Sequence, residues 1–325
     1  GIIMLAGIAA VIFAVLQIQG GFVAALEKMA SVQGESPIPG VYASFFGPDP
    51  VNLLGVVILT SLGTWGLPQM VQKFYAIKSE AAISKGTVIS TVFALVVSGG
   101  CYFLGGFGRL FGERVDIAAD GFDAVIPAML SGLPTLLIAV VVILVLSASM
   151  STLSSLVLTS SSTLTLDFIR GNLIREMDEK RQVRWMRGLI VVFILISVVL
   201  ALIQYRSNVT FIAQLMGVSW GALAGAFLAP FLYGLYWKGT TAAACWASFL
   251  FSTGVMLANI FWRGQFPALL QSPINAGAFC MLAGLLIVPV VSLFTRSPDK
   301  CRLEEIFACY EQTVTVTVRD SIGEN

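Results

Sequence analysis

Hydrophobic residues in this chain come in long uncharged runs, separated by short polar or charged stretches, and not in the alternation of strands or the one-faced pattern of soluble helices. A membrane-crossing helix needs about 20 consecutive apolar residues. Eight runs approach or meet that length: Gly1–Leu26, Val51–Ala76, Gly86–Phe107, Leu133–Arg170, Gly188–Gln204, Val209–Trp237, Ala242–Trp262 and Ile274–Phe294. The pattern predicts an all-α integral membrane protein of about eight transmembrane helices.

Two runs are irregular in ways that matter. In the second, TSLGTWGLPQMVQKFYAIKS places Gly63, Gly66 and Pro68 inside an apolar helix, which predicts a break near mid-membrane. Unwound backbone at that depth is tolerated only beside protein or a cavity, so the break marks a candidate binding site; a plain proline kink is the alternative. The fourth run, LPTLLIAVVVILVLSASMSTLSSLVLTSSSTLTLDFIR, is aliphatic in its first half and fills with hydroxyls in its second. At 100° per residue Ala148, Ser151, Thr152, Ser155, Thr159 and Ser162 share one stripe of that helix. A neutral oxygen cluster without a carboxylate suits a monovalent cation that must bind and then leave. Small hydroxyl residues also serve plain helix packing, which is the competing explanation.

The intervening segments complete the picture. Glu27–Pro50 carries Gly34, Pro37, Pro39, Gly40, Gly47, Pro48 and Pro50 and predicts an extramembrane loop. FDAVIPAML predicts a short external helix, and Arg170–Arg187 a charged loop. In the sixth run Gly217, Gly221 and Gly225 form a small-residue ridge suited to close helix packing. Gln214, near the outer end of that run, is balanced between a substrate contact and an interhelical hydrogen bond. The closing TVTVTVRD alternates like a strand without a partner strand and predicts a disordered tail or an edge.

Composition narrows the function classes. Hydrophobic residues make up 57% of the 325 residues and charged residues 11%, with a net charge of +1. There is no histidine, which removes histidine-based catalysis, metal ligation and proton relays from this chain. The five cysteines have no CxxC spacing, so neither a disulfide framework nor a zinc site is expected. No basic patch interleaved with aromatics points to nucleic acid. With eight alternating spans, fourteen of the nineteen lysines and arginines fall on one side, which places that side and the C-terminus in the cytoplasm. The chain opens in an apolar run, without an initiator Met or a signal-like basic segment, and reads as a fragment lacking its N-terminal part.

ASMSTLSS followed by VLTSSSTLTLDFIRG resembles the eighth core helix of the sodium:solute symporter family, the sodium/proline, sodium/pantothenate and sodium/glucose carriers. The resemblance implies that Ser151, Thr152 and the backbone carbonyl of Ala148 bind sodium. WG, a Gln and a basic residue in the second run resemble the family's sixth core helix, which implies substrate contacts at Ser61, Thr64, Trp65 and Gln69, with Gln214 as a further candidate. GVSWGALAGAFLAPFLYGLYWKGTTAAACWASF is similar to the region joining the family's tenth and eleventh helices. The likeness runs to about Thr295. It implies an inverted-repeat (LeuT-like) transporter fold lacking its N-terminal helices: residues 1–295 hold the end of repeat one, all of repeat two and two accessory helices, and 296–325 form a cytoplasmic tail.

The function implied is sodium-coupled import of a small organic solute through the plasma membrane. Thr64 stands where sugar carriers have an aromatic gate, and the MSTLSS and LTSSSTLTLD run is closer to the proline carrier, so an amino acid such as proline is the first expectation. Pantothenate or a short monocarboxylate is the alternative. Na+ is the co-transported ion, with no organic cofactor and no obligate protein partner expected; the partners are solute, sodium and lipid bilayer. A channel, a symporter-like sensor and a membrane enzyme are the rivals. The first lacks a reason for the broken helix, the second lacks a signalling module, and the third lacks paired carboxylates or a nucleophile–base pair in the spans.

Overall fold

The computed structural model describes residues 1–33, 37–71, 77, 80–116, 120–174, 176–207, 212–296 and 299–311. Among these the chain is helical, with no strand. Lys73, Lys78, Arg175, Arg319 and the TVTVTVRD tail, all used in the sequence reading, lie outside them. In chain order the helices are α1 (Ile2–Ile18), α2 (Phe22–Ser31), α3 (Pro50–Gly66), α4 (Pro68–Val71), α5 (Glu80–Gly106), α6 (Val125–Leu130), α7 (Thr135–Thr163), α8 (Glu179–Ser207), α9 (Ile212–Tyr236), α10 (Ala242–Phe261), α11 (Ala268–Gln271), α12 (Pro273–Phe294) and α13 (Lys300–Phe307). Six of these, α5, α7, α8, α9, α10 and α12, are long and apolar enough to cross a membrane. The protein is therefore a multi-pass membrane protein in its helix content.

Several boundaries differ from the sequence expectation. The first run is not one straight helix: α1 and α2 meet at a 61° bend, with Gly20 and Gly21 at φ of 92° and 100°. Those left-handed conformations end a helix at low cost only at glycine. Lys28 closes the corner, its Nζ donating to the Gln19 carbonyl at 2.8 Å and to Gln19 Oε1 at 3.2 Å. Residues 27–31, expected in a loop, are thus helical. The expected break in the second run is present, at Leu67 between α3 and α4. Glu179–Arg187, expected in a charged loop, is the first part of α8, since Glu, Lys, Arg and Gln are good helix formers. After Thr163 the hydroxyl helix continues as a π-helix over Leu164–Leu173, and part of the tail folds into α13.

Contacts divide the chain into two units, residues 1–53 with 69–215, and residues 54–68 with 216–325. In the first, the core gathers where Val11, Val15, Ala25, Met29, Phe107, Phe111, Met129 and Leu133 pack α1 and α2 against the 3₁₀ segment Phe107–Arg114 and α6. The Asp123 carboxylate accepts the Ile212 N–H at 3.2 Å and so caps the first turn of α9.

The second unit is built on close backbone approach. Gly217, Gly221 and Gly225 of α9 face α12 and α10: a Cβ on Gly221 would stand 2.6 Å from the Gly277 Cα, and one on Gly225 would stand 2.8 Å from the Cys280 Cβ. The expected ridge is a packing surface. Gly63 and Gly66 bring the inner part of α3 onto Trp220 and Ala224 of α9. Pro289 has no N–H to offer the Leu285 carbonyl one turn back. The Tyr233 hydroxyl donates to it at 2.9 Å instead.

Candidate functional site

The hydroxyl helix belongs to the first unit, and its lower half has two distinct faces. Val157, Ser161, Thr165 and Ile169, four residues apart, are buried, and this part of the chain packs on α8. The expected stripe lies elsewhere around the helix: Ala148, Thr159 and Ser162 are half-buried, and Ser151, Thr152 and Ser155 are exposed. The hydroxyls singled out from the sequence are therefore not the ones this helix uses to pack.

These hydroxyls differ in what they bond. The Ser151 hydroxyl donates to the Ala148 carbonyl at 2.9 Å, so two of the three candidate oxygens sit side by side. Thr152 is the next residue, and among the described residues its hydroxyl makes no hydrogen bond to the turn behind it. That bond is the usual fate of a helical threonine. Ala148 also edges an apolar cavity of about 280 Å³ lined by Met4, Gly7, Ile8, Val11, Cys101, Leu104 and Leu144 among others. Two oxygens at hydrogen-bond distance, with the unbonded hydroxyl of the next residue, form an uncharged oxygen set. It has the chemistry to replace part of the hydration shell of a monovalent cation.

Three of the remaining candidates lie on α3 ahead of its break. Helix α3 buries Gly55, Leu59, Gly63 and Gly66 on one side, packed within the second unit. Ser61, Thr64 and Trp65 point the other way at 100° per residue. Thr64 Oγ1 donates to the Ser61 carbonyl at 3.1 Å, and Trp65 is 62% exposed. An indole so exposed, on the face opposite a glycine-packed one, is placed for contact with something other than its own unit's core. Leu67, at the break itself, is buried and outside regular helix, so it pins the unwound point while the polar face stays open.

Gln69 and Gln214 fall in the other unit, and both are half-buried. Gln214 makes no interhelical hydrogen bond among the described residues, so that half of its expected alternatives is not realised there. Two polar contacts escaped the sequence reading: the Asp123 cap on α9, which pairs residues 89 apart, and Tyr233 on the Leu285 carbonyl. Only the second left a signal, a proline inside an apolar helix that orphans the carbonyl four residues earlier.

Curated relatives match across 218 residues. A sodium/proline symporter of Staphylococcus aureus is 28% identical over 65% of this chain and 42% of its own length. The sodium/proline symporters of S. aureus strains JH9 and Newman match over the same shares at the same identity. The chain thus spans about two-fifths, 42%, of the length of the curated relatives it matches. The family profile described as the sodium:solute symporter family matches residues 1–251, a stretch that holds the broken α3, the hydroxyl helix and the glycine ridge of α9. The chain belongs to the sodium:solute symporter family.

Proposed function

We propose that this chain supplies the sodium-binding helix and part of the solute site of a sodium-coupled symporter that imports a small organic solute. The observation that carries the reading is the oxygen cluster on α7, with Ser151 Oγ 2.9 Å from the Ala148 carbonyl beside the unbonded Thr152 hydroxyl. In this proposal Ala148, Ser151 and Thr152 hold the ion, and Ser61, Thr64, Trp65, Gln69 and Gln214 contact the solute. Sodium is cargo as well as ligand, and its binding favours the state to which solute binds. One sodium ion moving down a membrane potential of 100 mV supplies about 2.3 kcal/mol of drive.

Proline is the first choice of solute. The similarity to sodium/proline symporters supports it, and so does Thr64 in place of an aromatic that would stack on a sugar ring. A sugar would also require many polar partners, because each unpaired buried hydroxyl costs on the order of 1–3 kcal/mol. The broken helix carries few. A small carboxylate such as pantothenate or a monocarboxylate is the alternative solute.

The architecture proposed is the inverted-repeat (LeuT-like) one with eight spans. The bent α1–α2 pair closes repeat one; α3 with α4, α5, α7, α8 and α9 form repeat two; α10 and α12 are accessory. Residues 1–295 form the transporter domain and 296–325 a cytoplasmic tail, in the plasma membrane. Charge placement supports that orientation. Glu179→Cys should react with an impermeant maleimide only from the cytoplasmic side and Ser131→Cys only from outside; reaction of Glu179→Cys in intact cells would reverse the topology.

Calorimetry of the purified full-length protein against proline, pantothenate, acetate and glucose, each with and without sodium, tests the function. Sodium-dependent binding of proline is the expected result. Sodium-dependent binding of glucose alone would overturn the solute assignment, and solute binding indifferent to sodium would overturn the coupling.

A further inference from the structure

The first turns of α8, with Ile174 and Met177 before them, line a groove of about 610 Å³ that the sodium and solute readings do not use. Its polar end is made by Arg181 and Arg184. Its floor and apolar end are Gly188, Leu189 and Val192, with Trp185 between the two ends. At 100° per residue these positions form one stripe of α8. From Arg181 to Val192 the stripe runs about 16 Å along the axis. Met177 and Ile174 form the opposite wall. That wall is anchored: the Gln182 side-chain amide donates to the Met177 carbonyl at 2.8 Å, and Met177 is itself buried.

Among the described residues no carboxylate lines this groove. Arg184 is shared with a second cavity lined by Lys180 and Arg187, where Glu179 is the single acid among the described residues. Among the described residues none of these arginines is engaged in an ion pair. The floor is open, since a Cβ on Gly188 would meet nothing within 4 Å. A pair of unpaired guanidinium groups, then an indole, then an aliphatic trough is the order of groups along one acyl chain of a phospholipid: phosphate, glycerol ester, hydrocarbon. Guanidinium pairs also match phosphate oxygens in geometry as well as in charge.

We propose that this groove binds an anionic phospholipid, its phosphate held by Arg181 and Arg184 and one acyl chain lying over Gly188 against Leu189 and Val192. The occupant must carry net negative charge because the polar end offers cations and no acceptor for a choline group. It must be amphiphilic because most of the groove's length is apolar. A bound lipid there would seal the junction between the π-helical end of α7 and α8.

Native mass spectrometry of the full chain in detergent tests this, with phosphatidylglycerol and phosphatidylcholine of the same acyl chains in equal amounts. The unaltered protein should retain phosphatidylglycerol selectively. Arg181→Gln with Arg184→Gln should cut that selectivity on the order of thirtyfold, since each basic group near an anionic lipid contributes a factor of roughly five. Gly188→Leu keeps every charge and fills the floor, so it should reduce retention of both lipids. Lys300→Gln with Arg302→Gln, basic residues on α13, should change neither. Helical content by circular dichroism checks that each variant is folded. Selectivity that persists without the two arginines, or that falls equally in the α13 variant, would overturn the assignment. Displacement of the lipid by inorganic phosphate would overturn it too, by making the groove an anion site. None of these readouts depends on transport, so the proposal stands or falls apart from the symport reading.

Discussion

The two units of this chain put their helices to different uses. In the second, 39% of the most apolar stretch of α9 and of α12 is buried; in the first, none of the corresponding stretch of α7 or α8 is. Glycine accounts for much of the contrast. Gly217, Gly221 and Gly225 of α9 and Gly277 and Gly284 of α12 sit where a methyl would crowd a neighbouring helix, whereas α7 has no glycine and Gly188 of α8 faces open space. Lipid tails are as apolar as leucine, so helices in a bilayer gain little by hiding aliphatic surface from each other. They associate where small residues allow backbones to approach and dispersion contacts to accumulate. The second unit has that surface. The long helices of the first unit present aliphatic side chains on most sides.

The sharpest break of this comparison is one substitution made in both units. Gly221→Ala should destabilise the protein by on the order of 3 kcal/mol, because the new methyl meets the Gly277 backbone 2.6 Å away and backbone must move. Gly188→Ala should instead stabilise by about 0.5–1 kcal/mol, the ordinary helix preference for alanine. Thermal unfolding in one detergent reads both, and shifts of the same sign would mean that the glycine contrast is not what distinguishes the units.

Binding should divide differently from stability. Trp65→Ala is expected to remove about 2–4 kcal/mol of solute affinity, enough to abolish measurable binding, while sodium binding and thermal stability hold. A large stability loss would instead show Trp65 to be a packing residue of the second unit, against its 62% exposure.

On α7, Ser151→Ala and Thr152→Ala should each raise the half-saturating sodium concentration on the order of tenfold or more, the worth of a lost hydrogen-bonding or ligand contact to a charge. Ser154→Ala, about 120° from Ala148 around the helix, should not. Equal sodium dependence for all three would dissolve the stripe as a functional unit.

The smallest effect is expected at Ser252, whose buried hydroxyl has no partner among the described residues although it stands beside Gly225. Ser252→Ala should be neutral or stabilising by less than about 1 kcal/mol, because it deletes an unsatisfied group without opening a large cavity. A marked loss would mean that a water or polar group completes that contact.

Much of the framework was legible from local pattern. Long uncharged runs determined the membrane helices, because backbone polar groups in hydrocarbon must be satisfied within the segment. Gly63, Gly66 and Pro68 determined the break at Leu67, since two poor helix formers and a missing N–H act on their own few residues. The spacing of Gly217, Gly221 and Gly225 announced a packing ridge. Tertiary structure decided what no local rule carries. It selected Val157, Ser161, Thr165 and Ile169 over the hydroxyl stripe as the buried face of α7, a choice made by α8 and not by composition. It bent the first run at Gly20–Gly21, a glycine pair between Gln19 and Phe22 whose turn signal is weak within so long an apolar stretch, and closed the corner with Lys28. It also joined Asp123 to the start of α9 and Tyr233 to the carbonyl orphaned by Pro289, because hydrogen bonds between residues far apart in sequence exist only once the helices that carry them have packed.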